Sequence, residues 1–264
     1  MKGSRNTRRR VQLWTAVLGV LLMCAVPAGA KSIDGEAGFL QVRYDGELVY
    51  YSHNGSGFTA HELGWGWGQT SQVALVSREG AFLEVKNGIL RLWTFNPATG
   101  SGLALLGDLM GGWQNTRLLA GVGDATVDGL IDFVQVNSVG QLQLWVAGDT
   151  GFQLGRTLGH GWENARQLAG VGDHGRFVSI KDNGELWSWS VPQAGEATGQ
   201  FAMGGWGNVR LLGPGGAGES FVSLQRSSTG ADRLVQWKWA VGSAGVGFQP
   251  VLHDWGWENT RLLG

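Results

Sequence analysis

Five copies of one short phrase, a Gly-Trp turn running into a brief apolar strand, constrain this chain more than anything else in it. They read Gly66-Trp67-Gly68-Gln69, Gly112-Trp113-Gln114-Asn115-Thr116-Arg117, Gly161-Trp162-Glu163-Asn164-Ala165-Arg166, Gly205-Trp206-Gly207-Asn208-Val209-Arg210 and Gly256-Trp257-Glu258-Asn259-Thr260-Arg261. The Trp-to-Trp spacings are 46, 49, 44 and 51 residues. A unit of that length holds several short strands but cannot bury a core alone, so it has to stack on its neighbours. The repeat therefore predicts a propeller or solenoid.

Between the anchors the chain reads as apolar runs separated by turn residues. Unit one gives Phe39 to Tyr44, Glu47 to Tyr51 and Phe58 to Leu63, with Asp45-Gly46 supplying the positive φ of a tight hairpin turn. Each later unit gives four runs; in the third they are Arg117 to Ala120, Ile131 to Val136, Gln141 to Val146 and Phe152 to Leu158. Four strands per unit is one propeller blade. A second aromatic recurs in each third strand, at Tyr51, Trp93, Trp145, Trp189 and Trp237, always 16 to 20 residues before the next anchor. Length variation therefore falls between the first and third strands. Unit one lacks a first strand, and the last segment, Trp257-Glu258-Asn259-Thr260-Arg261-Leu262-Leu263-Gly264, carries one more first strand without a blade of its own. Pairing the two removes the sheet edges that template aggregation. The predicted fold is all-β: a five-bladed β-propeller of four-stranded blades, its ring closed by pairing of the N- and C-terminal segments in one blade.

Residues 1–30 are expected to be a signal peptide and residues 31–264 the propeller. Arg5, Arg8, Arg9 and Arg10 precede an apolar run from Leu13 to Val26, and Pro27-Ala28-Gly29-Ala30 ends in an Ala-x-Ala cleavage pattern. The run is short for a bilayer span. The expectations are a secreted or extracytoplasmic location and no membrane insertion after cleavage. The leader takes with it the only cysteine, Cys24, leaving 15 basic against 21 acidic groups, a net charge of −6. Such a chain lacks the basic face that nucleic acid calls for, so no nucleic-acid partner is expected. Gly at 46 and Trp at 14, against five Pro, suit many short strands and tight turns and do not suit disorder.

On its Gly-Trp anchors, its five units and their period, the chain over residues 34–264 resembles the tachylectin-type lectins. Those are five-bladed propellers in which a Gly-Gly-Trp turn leads into a short apolar strand. The resemblance implies binding of N-acetylated sugars at sites between blades. It departs where those lectins favour aromatics after the Trp, because Arg117-Leu118-Leu119 and its copies stand there instead. The loop Gly121-Val122-Gly123-Asp124-Ala125-Thr126-Val127-Asp128-Gly129-Leu130-Ile131-Asp132 resembles the acidic loop of VCBS and FG-GAP propeller repeats. That second resemblance also implies a propeller, but one used for adhesion.

In an extended strand side chains alternate, so Trp113, Asn115 and Arg117 are expected on one side, as are Trp162, Asn164 and Arg166; Trp206, Asn208 and Arg210; and Trp257, Asn259 and Arg261. An indole stacks on the apolar face of a sugar while an amide and a guanidinium bind its hydroxyls or acetamido oxygen. Up to five shallow sites would then act together. The competing reading packs each Trp between blades and uses the Asn and Arg on turn backbone, on the Trp or on a neighbouring carboxylate. The first anchor departs, with Gln69 and Ser71 in those places.

Asp124, Asp128 and Asp132, with Thr126 and the Leu130 carbonyl, have the spacing to wrap a structural Ca2+. The alternative is a solvated acidic turn. The five histidines form no His-Glu-x-x-His, there is no Gly-x-Ser-x-Gly, and the mature chain has no thiol, so no enzymatic activity is expected. The expected function is that of a secreted, monomeric, multivalent lectin-like propeller for amino sugars or cell-surface glycoconjugates. The alternative is a calcium-stabilised adhesion or protein-interaction module.

Overall fold

The computed structural model describes residues 38–264 other than 150, 173, 217, 243 and 244. The leader assigned to residues 1–30 lies outside the described residues. The strands form five antiparallel four-stranded sheets, each a blade. Blade 1 contains β1 (Phe39–Arg43), β2 (Glu47–His53) and β3 (Phe58–Trp65). Blade 2 is β4 (Thr70–Leu75), β5 (Ala81–Lys86), β6 (Ile89–Asn96) and β7 (Ser101–Gly111). Blade 3 is β8 (Thr116–Gly123), β9 (Asp132–Asn137), β10 (Leu142–Gly148) and β11 (Gly151–Gly159). Blade 4 is β12 (Ala165–Gly170), β13 (Arg176–Lys181), β14 (Leu186–Ser190) and β15 (Thr198–Met203). Blade 5 is β16 (Val209–Pro214), β17 (Ser220–Arg226), β18 (Asp232–Gly242) and β19 (Gly245–Trp255), after which β20 (Thr260–Leu263) returns to blade 1.

The ring closes as the sequence predicts. Strand β20 pairs antiparallel with β1, Gln41 facing Leu263 and Val42 facing Leu262. The Leu40 N–H donates to the Gly264 carbonyl at 2.7 Å and the Gly264 N–H returns the bond at 3.1 Å. The fold is a five-bladed β-propeller of four-stranded blades.

First strands surround the axis, β4 against β8, β8 against β12, β12 against β16, and β16 and β4 against β20. They meet backbone to backbone. A Cβ on Gly170 would lie 1.9 Å from the Gly121 carbonyl oxygen, and one on Gly121 would lie 2.3 Å from that of Leu75. Only about 10 Å³ remains among Ala74, Ala120, Gly121, Gly170, Pro214 and Gly264. That is room for roughly one water. Ligand sites therefore have to lie on the faces or between the blades.

Second strands are buried on both sides, as β5 shows with Ala81 to Val85 all inaccessible, so their sequences read as continuous apolar runs. Fourth strands face solvent, as in β15, exposed from Thr198 to Phe201. Five apolar clusters form the core, one per blade junction. Leu83 and Leu92 of blade 2 pack with Trp113 and Phe133 of blade 3, and Val134 and Leu144 of blade 3 pack with Trp162 and Phe177 of blade 4.

Candidate functional site

The anchor Trp belongs to the scaffold. The glycine before it takes a left-handed conformation, φ 92° at Gly112 and φ 81° at Gly161, and a single 3-10 turn follows over Trp113–Asn115 and Trp162–Asn164. A 3-10 turn advances about 120° per residue. This corrects the expectation that Trp, Asn and Arg share one side as in an extended strand: the indole turns inward and the amide outward. Trp67, Trp113, Trp162 and Trp206 are buried, Trp257 is partly buried, and Asn115, Asn164, Asn208 and Asn259 are exposed. Each anchor completes an aromatic triad with the second and third strands of its blade. Trp113 lies 5.8 Å from Phe133 and 4.9 Å from Trp145, and Trp206 lies 5.8 Å from Phe221 and 4.6 Å from Trp237. Truncating a buried aromatic of this size costs about 3–5 kcal/mol. A ring on which that much stability depends is not a free platform for a ligand.

The arginines are also occupied. In every blade the first strand carries a β-bulge, and the residue left unpaired is Ser71, Arg117, Arg166, Arg210 or Arg261. The bulge sends the guanidinium forward to the Trp turn of the next blade. Arg117 donates to the carbonyls of Trp162, Glu163 and Ala165, and Arg166 to those of Trp206 and Gly207. Arg210 donates to Trp257 and Thr260, and Arg261 to Trp67 and Thr70. The preceding blade also accepts the turn's own N–H: Trp162 donates to Gly140 and Trp206 to Gly184. Each gripped Trp is thus held at both ends of its peptide. The blade 2 to blade 3 junction differs: the Trp113 N–H still donates to the Gly88 carbonyl at 3.0 Å, but Ser71 turns to Val85 of its own blade and Gln72, in place of an arginine, reaches across to the Arg117 carbonyl.

The acidic loop does not converge on a point. Asp124 accepts the N–H groups of Asp128 and Gly129, Asp128 accepts that of Leu130, and Asp132 accepts the N–H and hydroxyl of Thr126. Among the described residues no three His, Cys, Asp or Glu side chains stand together in a way that would hold a metal ion. Burial pushes Asp132 up to about 6. The residues Asp124, Thr126, Asp128, Leu130 and Asp132 therefore do not fit the cation loop expected from their spacing. They form a self-capped turn.

Among the described residues, the larger hollows between blades 4 and 5 lie on opposite faces. On the Trp-turn face an open hollow of about 610 Å³ brings together Arg166, Asn208 and Arg210, three of the sequence-predicted residues, with Arg226 and Ser228 from the β17–β18 hairpin. Beneath it, burial alone would raise the inaccessible Asp232, but hydrogen bonds from Arg226 and Arg210 outweigh burial and hold it below the usual aspartate range.

On the other face a cleft of about 440 Å³ is lined by Trp189, Trp239, Ser188, Gln200 and the Arg176–Glu219 ion pair, which spans the two blades. Trp239 is 40% exposed, its ring edge-on to Phe248 at 4.9 Å. Ser190 and Thr198 share a hydroxyl hydrogen bond of 2.8 Å at the rim. The cleft exists because blade 4 is undersized there. Phe58, Phe152 and Phe248 stand near the start of the fourth strands of blades 1, 3 and 5, opposite His53, Ala147 and Trp239. In blade 4 Ala197 precedes β15, and within that strand Gly199 faces Trp189. A Cβ on Gly199 would strike the Trp189 ring at 2.4 Å. Sequence reasoning missed this cleft, although Trp239, an aromatic beyond the two that each unit repeats, is a visible signal.

No protein-family profile and no curated protein matches the sequence. Among solved structures the chain is similar to the fungal Aleuria aurantia lectin, whose six-bladed β-propeller is described as recognising fucose. The TM-score is 0.48 and the identity 11%, over 84% of this chain and 74% of that one. It is also similar to human WBSCR16, with a TM-score of 0.39 and 13% identity over 79% of this chain. The chain spans 65% of the length of that human chain.

Proposed function

We propose that the protein is a secreted, non-enzymatic carbohydrate-binding propeller whose principal sugar site is the cleft between blades 4 and 5. The observation that supports this most directly is the exposed Trp239 indole set among a carboxylate, a guanidinium, an amide and hydroxyls in a cleft of about 440 Å³. That volume is in the range of small-ligand pockets. A pyranose offers an apolar C–H face to an indole and a ring of hydroxyls to its surroundings, and Glu219 accepts from such hydroxyls while Arg176 and Gln200 donate. Arg176 and Glu219 cancel in charge, so the cleft suits a neutral sugar, amino sugars in N-acetylated form included. Blades 1, 3 and 5 fill the corresponding position with phenylalanine, so binding at this cleft is expected to exceed binding beside those three blades' fourth strands.

A glycan array probed with the protein and with Trp239→Ala tests the reading. The protein is expected to retain neutral glycans, and Trp239→Ala to bind them about tenfold or more weakly, as for loss of an aromatic hot spot. Absence of any bound glycan at high protein density, or binding unchanged in Trp239→Ala, would overturn it.

A further inference from the structure

The hollow on the Trp-turn face has a different chemistry from the sugar cleft and owes it to one addition. In blade 2, β5 and β6 are joined by the two-residue turn Asn87-Gly88 between the paired Lys86 and Ile89. In blade 5 the paired residues are Arg226 and Asp232, and Ser227–Ala231 forms a longer hairpin between them. That hairpin faces the entry to β16, where the repeated arginines of blades 4 and 5 already stand. Arg166, Asn208, Arg210, Arg226, Ser227 and Ser228 line the resulting space of about 610 Å³.

Three guanidinium groups border this hollow, and one carboxylate, that of Asp232, lies fully buried beneath it. The nearby Glu258 carboxylate is engaged by the Asp232 N–H at 3.0 Å, and counting it still leaves the group positive. This stands out on a chain whose charge outside the leader is −6. The three arginines are committed to different degrees. Arg210 spends its Nε on Asp232 and its Nη atoms on the carbonyls of Thr260 and Trp257. Arg166 bonds only carbonyls, and its Nε has no acceptor. Arg226 gives Nε and Nη2 to Asp232, which leaves three of its five N–H groups on a side chain 49% exposed. Such a fork, with a second uncompensated guanidinium opposite, matches the planar, multiply accepting surface of an oxyanion.

We propose that this hollow binds an oxyanion group, a sulfate, phosphate or carboxylate carried by a ligand, held by the free edge of Arg226 and the field of Arg166, with Ser228 at its rim. The site does not depend on the sugar cleft and lies on the opposite face from it.

Calorimetric titration and thermal denaturation at constant ionic strength, with chloride as the balancing anion, test this using sodium sulfate, sodium phosphate and glucuronate. At least one of the three is expected to bind and to raise the melting temperature, and the response is expected to persist in Trp239→Ala. Ser228 is exposed and makes no hydrogen bond on which the fold depends, so Ser228→Glu places a negative charge in the hollow without breaking a contact. It is expected to weaken anion binding about tenfold, with Ser228→Gln within about twofold of the parent. Which of the three anions binds separates sulfated, phosphorylated and uronate ligands. No response beyond chloride to any of them, or equal affinity in Ser228→Glu, overturns the proposal.

Discussion

The recurring third-strand aromatic carries one polar hydrogen, an indole N–H or a phenol O–H, and in this protein each blade supplies its acceptor in one of two ways. In blades 2 and 3 a long acceptor, Glu84 or Gln135, takes the N–H of Trp93 or Trp145 at 2.9 Å and also bonds the hydroxyl of Thr70 or Thr116. Gln41 does the same in blade 1 for Tyr51 and Thr260. In blades 4 and 5 a short acceptor, Ser179 or Ser223, reaches only the indole of Trp189 or Trp237, and the first-strand partner is then apolar, Ala165 or Val209. A threonine left beside a serine would bury a hydroxyl without a partner. The recurring aromatics are legible in the sequence, but their acceptors are not, because they pair across hairpins of unequal length. Asp132 is a second residue whose behaviour follows from burial. Its pKa is raised to about 6, so folding favours the protonated form. The associated stability is present at about pH 4 and is lost as pH rises through about 6, by roughly 2–3 kcal/mol. Urea unfolding at pH 4, 5.5 and 7 is expected to show that loss, and Asp132→Asn to flatten it; equal slopes for the two proteins would contradict the assignment.

At the scale of elements, strands that are buried on both faces are the ones the sequence locates best. Ala81 to Val85 is nearly the whole of β5, whereas the outer strand read as Leu103 to Leu106 runs as β7 from Ser101 to Gly111. Its residues alternate irregularly between exposed and half-buried, so no apolar period marks its ends. The bulge in each first strand is invisible to a period-two reading, and it changes the role of the arginines from ligand contacts to clamps between blades. Hydrogen bonds from a charged group to buried acceptors are worth about 1.5–3 kcal/mol. Arg117→Gln is expected to lower stability by about 1–3 kcal/mol without weakening glycan binding. Ser71→Arg, which supplies the missing clamp, is expected to raise stability by about 1 kcal/mol. Denaturant midpoints check both, and a neutral Arg117→Gln would show that the clamps carry no stability.

The number of blades and the way the ring closes are legible because a repeat multiplies its own signal. The sugar cleft is not, because it arises where blade 4 departs from the repeat, at Ala197 and Gly199, and only the assembled ring shows what that departure uncovers. The closed axis has the same origin, since glycines at positions 121 and 170 mean little until the strands that carry them are side by side. The forward reach of the arginines gives the whole molecule a direction. Every blade holds the one after it, as hands are laid on the shoulders of the person ahead in a circle, and one pair of hands is short. The Trp113 turn, held by its Gly88 bond without an arginine clamp, is therefore expected to open more readily than the others. Amide exchange in the peptide spanning residues 111–117 is expected to run faster than in 160–166 and 204–210, and equal protection in all three would mean that the circle has no loose place.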